Sequence, residues 1–355
     1  MQRLGEEFRM PFTTALDMKI RFWAALLGAS LALSAPSLAQ EAKAPAQDGP
    51  LTKYINLDAS DTGTKLEVIE QEVFIAEQQN MRTEFLLEHG DTVHMDFVQY
   101  PSGDELIPGY VFTPKQMTAG QRHPMVVLVH GGFHERFDVM WFPLITQLVE
   151  RGYVVAFPEY RGSRGYGENL YRNDYGVTDV ADVLAIADYL GKKPYADPSR
   201  AAIVGESRGG MVALLAIEKD PHRFKAAVDV VGLTDFMAYM AYKPEYRREE
   251  VARESASFGG KLPNDNLAAY MAVSPLNGVD KIETPLLVMA TTGDKIAPLT
   301  LHTGRLLDAL KARGKRFEAH IYDNAPGGHI FMHGDQWERD DAYARIFAWL
   351  QTCLK

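Results

Sequence analysis

The chain's clearest chemical signal is a serine between glycines, Gly205-Glu206-Ser207-Arg208-Gly209. The apolar run AAIV (201–204) precedes it, and a helix-like stretch begins at Gly210. A strand that turns abruptly into a helix leaves no room for side chains beside the serine, so glycines flank it and the hydroxyl stands exposed. The helix N-terminus behind Ser207 favours developing negative charge. A serine hydroxyl is a weak nucleophile until a base takes its proton. His329 is the expected base, on the glycine-rich loop Asn324-Ala325-Pro326-Gly327-Gly328-His329, with His333 as its competitor. The acid that orients the imidazole is expected at Asp294, after the run PLLVMA, with Asp235 and Asp323 as weaker candidates. The chain order Ser207, Asp294, His329 is the one used on parallel sheets of this kind. An oxyanion needs preorganised donors. The expected ones are the backbone N–H of Arg208 and that of Gly132 in His130-Gly131-Gly132-Phe133. His130 with His134, and His329 with His333, have helical metal-ligand spacing but lack the carboxylate of an H-E-x-x-H pair. No metal and no cofactor are expected.

These residues need a frame. Short apolar runs read as strands at 125–129, 153–157, 201–205, 226–231, 285–290 and 317–322. Amphipathic stretches lie between them, such as Asp179 to Leu190 and Leu301 to Arg313, and a last helix runs from about Trp337 to Leu354. Strands alternating with helices predict an α/β fold with a mostly parallel central sheet covered on both faces. Ahead of it, HMDFVQY and ELIPGYVF flank Pro101-Ser102-Gly103-Asp104 and suggest a hairpin. Residues 233–276 interrupt the alternation, as an insertion over the site or as two packed surface helices. Trp141 and Phe142 read as core.

Composition bounds the function. The chain has 355 residues, 46% of them hydrophobic and 24% charged, as in an ordinary globular protein. A net charge of −10 speaks against a general electrostatic nucleic-acid binder. The lone Cys353 excludes an internal disulfide framework and a cysteine-built zinc or iron–sulfur site. Residues 18–39 read as a secretory signal: Lys19 and Arg21, an apolar run from Phe22 to Leu33, then Ser37 and Ala39 before cleavage. The run is shorter than the ~20 residues of a membrane span. Met18 is the expected true start, with residues 1–17 a mis-assigned extension. The mature product is expected to be exported, periplasmic or secreted, without a stable membrane anchor. Residues 40–90 read as a leader and N-terminal extension, of which 51–90 receive no role, and 91–355 as the catalytic domain.

Taken together, these motifs resemble the α/β-hydrolase superfamily, and within it the catalytic domain of the prolyl oligopeptidase family of serine peptidases. The resemblance rests on His130-Gly131-Gly132, Tyr160-Arg161-Gly162-Ser163-Arg164-Gly165-Tyr166-Gly167, the Gly-x-Ser-x-Gly-Gly elbow, Asp294 with Pro298, and Gly328-His329. Ile107-Pro108-Gly109-Tyr110 also looks like that family's entry to the domain, so the likeness covers about 94–355. It implies that Ser207, Asp294 and His329 form the triad of an acyl-enzyme mechanism. Two departures stand out. The residues ahead of the domain are too few for the β-propeller of the larger peptidases, and Ala290-Thr291 replaces the usual His-Gly near the acid loop. Peptidase and carboxylesterase activity therefore both remain open, and a non-catalytic binding module on the same fold is a minor alternative. The expected partner is a short peptide or a small molecule. Tyr160, Arg161 and Phe133 are substrate-binding candidates. Arg161, Arg164, Glu206 and Arg208 could bind a charged substrate group, but internal ion pairs that fix the loops are the favoured reading.

Overall fold

The computed structural model describes residues 62–355, with side chains from Ile69 onward. The signal, its cleavage site and the leader up to residue 61 lie outside the described residues.

Eight strands form one sheet in the order β1-β2-β4-β3-β5-β6-β7-β8. The hairpin β1 (Val93–Ser102) and β2 (Glu105–Pro114) lies at one edge and pairs antiparallel with β4 (Val154–Pro158). From β4 onward every pairing is parallel, through β3 (His123–Val129), β5 (Ala196–Glu206), β6 (Ala226–Val230), β7 (Leu286–Thr291) and β8 (Phe317–Tyr322). The hairpin turn is tighter than the sequence suggests. Ser102 pairs with Glu105, which leaves Gly103 and Asp104 as the turn, and Gly103 takes the positive φ of 61° that such turns require.

The strand order carries a consequence for the site. After β3 the chain moves outward to β4, then returns across β3 to lay β5 on its other side. The loops leaving β3 and β5 therefore part in opposite directions, and the crevice between them is where open parallel sheets bind ligands. The His130 loop and the Ser207 turn both begin there.

Strand alternation divides the core between two faces. Met125, Val127 and Val129 face one cluster, with α4 (Thr178–Gly191), α5 (Arg208–Lys219) and α9 (Thr303–Ala312) packed on it. Val126 and Leu128 face the other, under α2 (Phe142–Glu150) and α10 (Trp337–Cys353). Trp141 and Phe142 are core residues of this second face. The short α3 (Glu168–Tyr171) follows β4 in a loop that returns beneath the His130 segment. Between β6 and β7 the expected insertion consists of α6 (Phe236–Tyr242), α7 (Glu245–Glu254) and α8 (Leu267–Ala272). It is more than a solvated pair of surface helices, because Phe236, Tyr239, Met240, Val251, Phe258 and Tyr270 join the first core cluster.

The element that sequence reasoning missed is α1 (Thr62–His89). Its sequence is charged and shows no broad apolar face, yet three residues at sparse helical spacing, Phe74, Met81 and Phe85, are buried. The Phe85 ring packs 5.4 Å from Phe112 and 4.9 Å from Phe142, while Phe74 meets Tyr166 edge-on at 5.1 Å. Gln78 accepts a hydrogen bond from the Tyr110 hydroxyl at 2.5 Å, and Gln71 donates to the Gly165 carbonyl. Three apolar anchors and two polar ones are enough to dock a helix whose periodicity alone would not reveal it.

Phe85 is completely buried, so Phe85→Ala should cost about 3 to 5 kcal/mol. Leu87→Ala, at a position 83% exposed, should stay within about 0.5 kcal/mol. Urea unfolding of both variants measures the contrast, and equal losses would mean that α1 is not held as described.

Candidate active site

The backbone at Ser207 is the sharpest feature of the site. β5 ends at Glu206, α5 begins at Arg208, and Ser207 between them has φ 57° and ψ −121°. A non-glycine residue in such a conformation costs roughly 1–3 kcal/mol, so its surroundings must enforce it. Ser207 N–H donates to the Val230 carbonyl at 2.8 Å, and the Ser207 carbonyl accepts from Met211 N–H at 3.1 Å. The flanking glycines are required by contact. A β-carbon on Gly205 would lie 2.1 Å from the Gly209 carbonyl oxygen, and one on Gly209 would lie 2.2 Å from that of Val129.

His329 and Asp294 meet this serine from two further strand ends. Asp294 lies in the loop after β7. His329 lies in the 3₁₀ turn Gly328–His333 after β8, entered through Gly327 in the left-handed region. Ser207 Oγ lies 2.7 Å from His329 Nε2, and His329 Nδ1 lies 2.7 Å from Asp294 Oδ2. The second Asp294 oxygen accepts the N–H groups of Ile296 at 2.7 Å and Ala297 at 2.9 Å. Asp294 is thus a buried carboxylate held by its own turn, with one oxygen left for the imidazole. In the tautomer this implies, Nδ1–H donates to Asp294 and Nε2 accepts from the serine hydroxyl, which is the geometry of general-base activation.

The other candidate acids and base are engaged elsewhere. Asp235 caps α6 through Ala238 N–H and pairs with Arg305, and Asp323 accepts the Thr292 hydroxyl. His333 faces away from Ser207: Nε2 lies 2.6 Å from Glu206 Oε2 and Nδ1 lies 3.2 Å from the Met140 carbonyl. Burial opposes a charge on His333, but the Glu206 carboxylate outweighs it and raises the imidazole above its ordinary value. A buried ion pair therefore ties the residue before Ser207 to the turn that carries His329. Sequence reasoning expected an internal ion pair at Glu206 but did not identify His333 as its partner, since nothing in their spacing shows that they meet.

The His130 loop lies against Ser207. A β-carbon on Gly131 would come within 3.1 Å of Ser207 Cβ, and Gly132 follows with φ 71°. Arg208 N–H is among the first helix donors, which have no acceptor inside the helix. His130 is fully buried between the Gly131 carbonyl and the Ser163 hydroxyl, and desolvation lowers its pKa to about 3, so it is neutral. His134 bonds the Gly162 carbonyl and Glu254 and stacks on Tyr171. Neither histidine pair converges on a common point, and no group of three or more metal-capable side chains occurs among the described residues.

Two of the three substrate-binding candidates prove to be supports. Tyr160 is completely buried, and its hydroxyl donates to the His130 carbonyl at 2.8 Å, so it braces the loop instead of facing a substrate. Arg161 is held by Asp182, with Nη2 to Oδ1 at 2.7 Å and its backbone N–H on Oδ2, and so anchors the loop after β4 to α4. Arg161 also borders a cavity of about 660 Å³ with His134, Asn173 and Glu254, and Ser207 and His329 are not among its lining residues. Arg164 pairs with Glu135 at the surface. The Arg208 side chain is wholly buried, paired with Asp179 and enclosed by the rings of Phe133, Tyr160 and Tyr175. Phe133 follows Gly132 and packs on Tyr175 and on Phe236 and Tyr239 of α6, forming an aromatic cluster beside the His130 loop.

A serine, an imidazole and a carboxylate in contact at the carboxyl ends of parallel strands, beneath a glycine loop, define the class as an α/β-hydrolase. Residues 140–355 match the prolyl oligopeptidase family, and the chain belongs to it. An uncharacterised peptidase of Bacillus subtilis is 28% identical over 247 residues, covering 68% of this chain and 36% of that protein. The acylamino-acid-releasing enzyme of Arabidopsis thaliana is 27% identical over 227 residues, 61% of this chain and 29% of the relative. The chain thus spans about a third of the length of these relatives. Among solved structures, the Pyrococcus horikoshii acylaminoacyl peptidase superposes with a TM-score of 0.66 at 23% identity, over 77% of this chain and 43% of that one. A puromycin-hydrolyzing peptidase from Mycobacterium tuberculosis gives 0.63 at 26% identity, over 74% of this chain and 39% of that one.

The Glu206–His333 pair generates two expectations. Glu206→Gln should lower kcat on the order of tenfold with a smaller change in KM, because a displaced imidazole loses alignment more than it loses substrate. The pair's stabilisation should be complete below the unfolded imidazole value of ~6.5 and fade as pH rises through the higher folded value. Unfolding free energies of wild type and His333→Asn across pH 6 to 9 test this second expectation (~ values bracketing the imidazole range). The gap should narrow upward, and a gap that widens with pH would contradict the pairing.

Proposed function

We propose that this protein is a serine peptidase that cleaves short peptides or acylated amino-acid derivatives through an acyl-enzyme at Ser207. The observation that carries the reading is the unbroken contact from Ser207 Oγ to His329 Nε2 and from His329 Nδ1 to Asp294. In the first half-reaction Ser207 Oγ attacks the scissile carbonyl carbon while His329 Nε2 takes the hydroxyl proton. The carbonyl oxygen becomes an oxyanion, which the N–H groups of Arg208 and Gly132 stabilise. Collapse breaks the bond to the leaving group, which departs with the proton from His329. In the second half, water gives a proton to His329 as it attacks the acyl carbon; the bond to Ser207 Oγ then breaks, Oγ takes the proton back from His329, and the acid is released. Asp294 accepts the Nδ1–H bond throughout and stabilises the imidazolium that forms in each half.

Family membership favours amide over ester substrates. The names of the relatives point toward acylated amino acids and peptides. The aromatic cluster at Phe133 suits an apolar or aromatic side chain next to the scissile bond. The signal-like segment 18–39 supports export of the mature chain.

Matched ester and amide substrates with one acyl group test the reading on residues 40–355. Ser207-dependent amide turnover is expected. Ester turnover without detectable amide turnover would make the protein a carboxylesterase. Ser207→Ala should lose on the order of 10⁴-fold or more in kcat. Near-normal turnover by that variant would remove Ser207 from the mechanism.

A further inference from the structure

A row of aromatic rings that leads from the His130 loop to the Asp294 turn carries a cation with no ion pair among the described residues. Phe133, next to Gly132, packs 5.6 Å from Tyr239, and Tyr239 packs 5.8 Å from Tyr242. The Tyr242 hydroxyl then bonds the carbonyl of Ile296 at 2.8 Å, and Ile296 N–H is itself bound to Asp294. Two cations lie on these rings. The Arg247 guanidinium is 4.9 Å from the Phe133 centroid, and the Lys243 ammonium is 4.6 Å from that of Tyr239 and 5.0 Å from that of Tyr242.

Their charges are answered differently. Arg247 pairs with Glu250 at 2.5 Å and reaches Glu254 at 3.8 Å. Lys243 forms no ion pair among the described residues, although burial and the nearby Arg247 both disfavour its charge and lower its pKa. The carboxylate that acts on it favourably is Asp294, whose oxygens are already committed to His329 and two backbone N–H groups. Glu135 and Asp235 are likewise engaged, by Arg164 and Arg305. A half-buried ammonium steadied on two aromatic rings beside a second cation gains more from an incoming anion than a solvated surface lysine does.

We propose that Lys243 is a specificity residue that binds a carboxylate on the substrate, so that the enzyme prefers substrates with an anionic group near the scissile bond. This rests on the serine-hydrolase reading of the site. Lysine suits the task as a compact charge on a flexible stem, able to meet a carboxylate without a fixed bidentate geometry.

The test uses two matched pairs. One is p-nitrophenyl hemisuccinate against p-nitrophenyl butyrate, with the carboxylate on the acyl side. The other is an N-acetylalanyl anilide of 4-aminobenzoate against that of 4-aminobenzamide, with the carboxylate on the leaving group. In wild type the anionic member of at least one pair should have the higher kcat/KM, by about tenfold or more at low salt. The ratio should shrink as salt screens the charge. It should fall to about one in Lys243→Gln and persist in Lys243→Arg. A wild-type ratio near one in both pairs overturns the proposal, as does a ratio that survives Lys243→Gln. Calorimetric binding of monomethyl succinate to Ser207→Ala, with and without Lys243→Gln, reads the same contact without turnover. Equal affinity of the two proteins, or no binding to either, counts against Lys243. Absence of Ser207-dependent turnover on all four substrates would instead defeat the hydrolase reading, with the calorimetry still deciding the role of Lys243.

Discussion

The strained turn at Ser207 is the constraint on which the rest of the structure depends. A serine at φ 57° and ψ −121° does not hold itself there. The conformation persists because a sheet strand, a helix and the neighbouring strand end all converge on it. β6 receives the Ser207 N–H, the glycines at 205 and 209 let backbone approach backbone, and the wholly buried Arg208 locks the start of α5 to Asp179 on α4. Each of these contacts comes from an element that the parallel sheet places, so the local strain is offset by global packing.

From that turn outward, the site is supported by pairs of side chains that never face a substrate. Tyr160 braces the His130 loop, Asp182 holds Arg161, and His333 ties Glu206 to the turn bearing His329. Buried ion pairs are weak evidence for net stability, since desolvation consumes much of their attraction. Their more definite effect here is geometric. The Arg161–Asp182 pair joins the loop after β4 to α4, and the Glu206–His333 pair joins the end of β5 to the turn after β8. A segment fixed at two points holds its side chains better than one fixed by its strand alone.

The residues of the candidate site were largely legible before the fold. Glycines around Ser207 announce a tight strand-to-helix turn, and strand-ending loops with Asp294 and His329 follow in the order this architecture uses. The strand segments β3, β4, β6 and β7 are legible because strands buried on both faces read as continuous apolar runs, whereas β8 lies at the sheet edge and is mostly unburied. What escaped detection had weaker local signals. α1 shows only Phe74, Met81 and Phe85 at wide spacing within a charged stretch. The role of Tyr160 and the ion-pair partner of Arg161 stayed open, because a polar residue in a glycine-rich loop carries no mark of the partner that will bury it.

The sequence by itself determined the class of fold, the nucleophile turn and the small set of residues able to serve it, since these follow from local backbone geometry and apolar periodicity. Only the tertiary structure brings His329, and not His333, against Ser207, and Asp294, and not Asp235 or Asp323, against His329. It also turned Tyr160 and Arg161 into supports and left Lys243 on a row of aromatic rings, with no ion pair among the described residues. The physical reason is range. Periodicity and turn chemistry act over a few neighbouring residues, whereas the partner of a buried polar group is chosen by whichever strand end the sheet topology brings beside it, here as many as 127 positions away between Glu206 and His333.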